Sequence, residues 1–168
     1  SVKAGESFWE STNFLSNEIQ INDEDENYKL SDCYKELKEI ENKIFKLETK
    51  LAIKNLDKIF KIADKFIIDR GDLSKDIKLE QIPILQRIIL KKGKTKNKKI
   101  FVATNFLESM IENNYPTRAE INDTFNAFEL GASGVVLAAE TAIGKYPVEC
   151  IELVSKIFKQ FTNHSKLK

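Results

Sequence analysis

Chemistry in this 168-residue sequence could gather where short apolar runs end. Lys46 and Glu48 stand in KLET, Asp72 in FIIDRGDL, Thr104 in FVATN and Glu140 in AAET. Two carboxylates on neighbouring strand ends, Glu48 and Asp72, suit a hard divalent cation that keeps several waters and takes further oxygens from a substrate. Lys46 lies two residues before Glu48, and strand side chains alternate, so the two share a face. Gly71 lacks a Cβ, which lets backbone amides approach an anion closely at what would be the start of a short helix. Plainer readings exist for the same residues. Lys46 and Glu48 could be a surface ion pair, Thr104 a β-branched residue that merely ends a strand, and Arg70-Gly71-Asp72 the tripeptide that adhesion proteins display to receptors.

The elements that must position these residues follow a regular rhythm. From Asp32 onward, short apolar runs alternate with longer helical patterns, which argues for βα units over a bundle. Strands are expected at residues 44–47, 66–68, 100–103 and 135–138. Leu56, Ile59, Phe60 and Ala63 recur at helical spacing, and residues 33–41 and 79–90 read as helices, the latter with Pro83 in its early turns. Thr117 and Glu120 form a capping box for a helix to about Leu130, residues 131–134 turn, and Pro147 opens a closing helix over 148–161. The basic run KKGKTKNKK reads as a solvated loop around Gly93. Residues 1–30 form an irregular segment containing an acidic run and one short strand, at 18–21. Connections this short imply parallel strands with right-handed crossovers, in an open doubly wound sheet or part of a barrel. Both place chemistry beyond the carboxyl ends of the strands.

Composition removes several classes. Lys plus Arg number 27 against 26 Asp plus Glu, a net charge of +1, so no global field draws the chain to nucleic acid or membrane. Hydrophobic residues make up 42%, enough for one domain with a core, and no apolar run approaches the roughly 18 residues a bilayer span requires. No signal-peptide pattern opens the chain. The two cysteines, Cys33 and Cys150, lack neighbours at metal-ligand spacing and read as inert thiols.

Residues 101–147, FVATNFLESMIENNYPTRAEINDTFNAFELGASGVVLAAETAIGKYP, resemble the last two strand and helix units of the pyruvate kinase catalytic barrel. The family pattern there is ATQMLESM, PTRAE, GETA and YP. DRGDL at 69–73 continues the likeness, and KLET at 46–49 is similar to the family's KIEN signature. The resemblance covers residues 31–161. It implies an α/β fold in which residues 31–168 are parallel β/α units forming the second half of a TIM (β/α)8 barrel, strands five to eight, with a remnant of strand four in the N-terminal segment.

The resemblance also implies roles. Glu48 and Asp72 would be ligands of Mg2+ or Mn2+, and Lys46 would set its charge against the phosphoryl group in flight. Gly71, Asp72 and Thr104 would bind substrate, the Gly71 backbone holding its carboxylate and Thr104 taking part in protonating the enolate. The implied reaction moves phosphoryl from phosphoenolpyruvate to ADP, giving pyruvate and ATP in glycolysis. K+ would bind only through residues of the earlier barrel half, absent from this chain, so the isolated chain is expected to be inactive and to pair with that half or another copy. A cytoplasmic location follows, with a plastid-like organelle as alternative. Arg118 and Glu120 would act through the helix start, Glu108, Ser109 and Met110 would brace a short helix, and Arg70 would pack, bridge subunits or touch substrate. Departures from the family pattern are Asp69 for a small residue, Ala138 for a serine, Ala139 for a glycine, and changes at Phe45, Leu51, Ser74 and Asn105. They leave a second reading, a weakened pseudoenzyme or metabolite-binding regulatory half-barrel. A third is an adhesion ligand.

Overall fold

The computed structural model describes residues 44–165. The irregular segment over 1–30, the strand expected at 18–21 and the helix expected at 33–41 lie outside the described residues. Among the described residues, four strands form one sheet in chain order: β1 (Ile44–Leu47), β2 (Lys65–Asp69), β3 (Lys99–Ala103) and β4 (Gly134–Val136). Every pairing is parallel, so the class is α/β. The register sets Lys46 beside Ile67, and Asp69 beside Ala103, so β1, β2 and β3 end level with one another. β2 is an almost unbroken apolar run because both of its faces are covered: Phe66, Ile67, Ile68 and Asp69 are all buried.

Helices connect the strands. After β1 come α1 (Lys50–Lys54), capped by the Thr49 hydroxyl, and α2 (Leu56–Ile59). α3 (Arg70–Asp76) starts directly at the end of β2, and a 3₁₀ turn (Leu79–Gln81) leads into α4 (Ile82–Thr95) with Pro83 in its first turn. Beyond β3 lie a second 3₁₀ turn (Glu108–Ile111) and α5 (Arg118–Glu129), opened by the expected Thr117 and Glu120 capping box. α6 (Ala139–Ala142) and α7 (Pro147–Ser165) follow β4. The core between helices and sheet is built on Leu47, Phe60, Phe66, Ile68, Leu73 and Ile100. α7 lies on α5 through ring contacts, Phe128 to Phe158 at 5.1 Å and Phe125 to Phe161 at 6.0 Å. Cys150 is a buried free thiol, pushed up in pKa by that burial and then by the nearby Glu140 charge. Among the described residues, no helix is long and apolar enough to cross a membrane.

Three sequence expectations need correction. The helix through Leu56, Ile59, Phe60 and Ala63 is interrupted early: Asn55 ends α1 and α2 stops at Ile59, yet Leu56 at the start of α2, and Phe60 and Ala63 beyond its end, still reach the core. The basic run is not a loop around Gly93. α4 continues to Thr95, and Gly93 is buried within it because a Cβ there would lie 2.1 Å from Cδ1 of Ile100 on β3. Lys92 on the helix and Lys96 at its C-cap pair with Asp57, and Lys98, beyond the helix, lies 2.7 Å from Asp64. Finally, β4 ends at Val136 and not at Ala138, which has already left the strand conformation to start α6.

Candidate active site

The level ends of β1, β2 and β3 place Lys46 at the centre of an acidic cluster. Its Nζ lies 2.7 Å from Glu48, 3.1 Å from Asp69 and 3.1 Å from Asp72. The Lys46 side chain is only 7% exposed, and burial alone would push its ammonium down. The bonds to Glu48, Asp69 and Asp72 outweigh that loss of hydration and raise the group above its ordinary value, so Lys46 stays cationic across the neutral range. Asp72 is the open member of the cluster, 35% exposed; Lys75 at 2.7 Å, then Lys46, hold its carboxyl below the usual range against some burial. Glu48, Asp69 and Asp72 each bring one oxygen within 4.8 Å of the others. The buried Oε2 of Glu48 lies 2.7 Å from the Lys46 ammonium as an ion pair and has no other polar partner among the described residues. A set of three hard carboxylate oxygens this close together fits Mg2+ or Mn2+.

The start of α3 is stitched to the end of β3. Asp69 is its N-cap, accepting from the Asp72 amide at 3.2 Å. The Gly71 amide donates to the Thr104 hydroxyl at 2.9 Å, and that hydroxyl in turn donates to the Ala103 carbonyl at 2.6 Å. Arg70 turns away from the acidic cluster: it donates to the Thr104 and Asn105 carbonyls and to Asp123 on α5, and its guanidinium lies 4.1 Å over the Phe106 ring. Among the three roles weighed for it, the contacts within this chain are those of packing.

The remaining strand-end acid, Glu140, is only 2% exposed and accepts from the amides of Phe106, Leu107 and Ala138, at 3.3, 3.3 and 2.7 Å. It ties the β4 end to the segment after β3. Glu120 closes the capping box and also receives the Ser109 amide and hydroxyl, at 2.7 and 2.5 Å. Burial would raise its carboxyl, but the Ser109 and Thr117 donors win and lower it. Asn105 donates to Glu108 at 3.1 Å, so the short turn after Thr104 is braced as expected.

The family profile described as pyruvate kinase, barrel domain, matches residues 28–151. The chain belongs to the pyruvate kinase family. The pyruvate kinase of Thermotoga maritima is 48% identical over 117 residues, 70% of this chain and 25% of that protein. Those of Thermococcus litoralis and Methanocaldococcus jannaschii are 43% and 40% identical over 116 and 121 residues, covering 69% and 72% of this chain and 24% and 27% of those proteins. The chain therefore spans about a quarter of the length of these curated relatives.

Within this pyruvate kinase chain, the structure brings together five of the six residues singled out at the strand ends, Lys46, Glu48, Gly71, Asp72 and Thr104, while Glu140 is bonded elsewhere. The sequence reading treated Asp69 only as a departure from the family pattern. Its buried carboxylate instead touches Lys46, the Asp72 amide and, at 3.4 Å, the Thr104 hydroxyl. The signal was present: an Asp just before a helix start, three residues ahead of the amide it caps, is an N-cap pattern.

Proposed function

We propose that this chain is the later half of a pyruvate kinase (β/α)8 barrel and supplies part of the site that transfers phosphoryl from phosphoenolpyruvate to ADP. The observation that carries the reading is the convergence of Lys46, Glu48 and Asp72 at adjacent carboxyl ends of parallel strands. Parallel pairing in chain order supports the barrel half, since a (β/α)8 barrel is built that way.

In this reading Glu48 and Asp72 hold Mg2+ or Mn2+, which when bound neutralises oxygens of the transferring phosphoryl group. Lys46, kept cationic by its carboxylates, stabilises the charge on the phosphoryl group as its bond to the enolate oxygen breaks and the bond to the ADP oxygen forms. The start of α3, through Gly71, and the Thr104 hydroxyl receive the substrate carboxylate. Thr104 also takes part in delivering the proton that converts the enolate to pyruvate. K+ and the remaining phosphate contacts come from residues outside this chain, supplied by the missing barrel half.

The test is titration of the 168-residue chain with Mn2+, followed by its paramagnetic effect on resonances of Glu48 and Asp72. The Asp72→Ala and Glu48→Gln variants should bind at least about tenfold more weakly; equal binding would refute the site. Replacing the matching segment of the Thermotoga maritima pyruvate kinase with this chain should then give pyruvate formation that Lys46→Met abolishes. Metal binding without turnover would favour the weakened enzyme, a reading motivated by Ala138, which offers no side-chain hydrogen bond at the start of α6.

A further inference from the structure

We propose that Arg70 is a positioning residue, which holds Thr104 and Asn105 in a left-handed turn and so keeps the Thr104 hydroxyl against the start of α3. The inference rests on the reading that Thr104 faces the substrate, and it adds the device that aims it.

The backbone at Thr104 has φ 72° and at Asn105 φ 56°. Asparagine tolerates this region, but for a β-branched threonine it is a true outlier. Strained residues of this kind persist only where the surroundings over-determine them, and they cluster at functional sites. Here the surroundings converge on one side chain. Arg70 Nε and Nη2 donate to the Thr104 carbonyl at 3.1 and 2.5 Å, and Nη2 also donates to the Asn105 carbonyl at 3.0 Å. Turning two successive residues into the left-handed region points both carbonyls at the same guanidinium.

The guanidinium is itself fixed. Nη1 donates to Asp123 on α5 at 2.6 Å, the Phe106 ring lies under its plane at 4.1 Å, and the side chain is 14% exposed. All three guanidinium nitrogens are thus bonded within the chain. Arg70 and Gly71, adjacent in sequence, grip Thr104 at two points: the guanidinium takes its carbonyl and the Gly71 amide takes its hydroxyl. A lysine at position 70 would keep a charge near Asp123 but could not fork across two carbonyls in one plane.

Amide hydrogen exchange of the 168-residue chain, read by NMR, tests this. Arg70→Lys and Arg70→Met should lower protection of the Gly71 amide about fivefold or more, relative to the slowest core amides of β2, and shift the Thr104 and Asn105 backbone carbons out of the left-handed range. Asp123→Asn, which removes the anchor's charge but leaves both carbonyl bonds, should change Gly71 protection by less than about twofold. Adding Asn105→Gly to Arg70→Met should restore part of the loss, because glycine adopts the turn without steric cost. Unchanged Gly71 protection in both Arg70 variants, or an Asp123→Asn loss as large as theirs, would overturn the inference and leave Arg70 a helix-docking residue. A separate phosphoenolpyruvate titration should shift the Gly71 amide in the parent and not in Thr104→Val. No shift in the parent would overturn the functional reading, while the exchange comparison would still decide the role of Arg70.

Discussion

Replacing Asp69 with alanine should destabilise the fold, although the family pattern carries a small residue there. Two losses combine. The cap on α3 disappears, and removing an N-cap acceptor typically costs about 1 kcal/mol. Lys46, 7% exposed, also loses the carboxylate 3.1 Å away. Breaking a buried pair outright costs about 3–5 kcal/mol, but Lys46 keeps Glu48 and Asp72, so the share owed to Asp69 is nearer about 1–2 kcal/mol. The sum is about 2–3 kcal/mol, which for a chain of this size lowers the melting temperature by roughly 5–10 °C. Asp69→Asn retains an acceptor for the Asp72 amide and removes only the charge, so it should recover about 1 kcal/mol of the loss. Urea unfolding followed by circular dichroism measures both variants. The opposite expectation is concrete, since Asp69 also stands close to two like charges, Glu48 and Asp72. If Asp69→Ala leaves stability within about 0.5 kcal/mol or raises it, like-charge repulsion has won and the reasoning fails.

Gly93→Ala should cost about 1–3 kcal/mol, because the new methyl meets Ile100 between α4 and β3; unfolding at parental stability would show that the helix can shift away. Glu140→Ala should cost about 3 kcal/mol or more by leaving the amides of Phe106, Leu107 and Ala138 without their acceptor, measured by the same unfolding. Glu120 is held below its ordinary value of 4.5, so its contribution is complete above that value and fades as pH falls through the lowered one. The melting temperature of the parent should therefore drop more steeply than that of Glu120→Gln between roughly pH 5 and pH 3, and parallel curves would contradict the assignment.

The strands were legible because they are short runs of mostly apolar residues, half-buried in β1 and buried in β2. The capping box was legible because its two residues carry their own geometry. Gly93 misled because a glycine in a basic run reads as a break, whereas the pressure that selects it comes from Ile100, a contact no local pattern encodes. Asp69 and Arg70 were under-read for a related reason: a carboxylate or guanidinium declares its charge in the sequence but not its partners. The partners of Asp69 are 23 residues back and 35 ahead, at Lys46 and Thr104, and only the sheet register brings them near.

That register also decides the meaning of Arg70-Gly71-Asp72. A displayed adhesion tripeptide must offer a free guanidinium and a free carboxylate on a loop. Here Arg70 spends its three nitrogens on Thr104, Asn105 and Asp123, and Asp72 is bonded to Lys46 and Lys75. Residues 69–72 instead join three elements: Asp69 and Asp72 reach β1 through Lys46, Gly71 and Arg70 reach the end of β3 through Thr104, and Arg70 reaches α5 through Asp123. A shift of α3 by even an ångström would disturb Lys46, Thr104 and the carboxylates together, since hydrogen bonds weaken steeply with displacement. The four residues therefore act as the joint on which the geometry of the whole cluster depends.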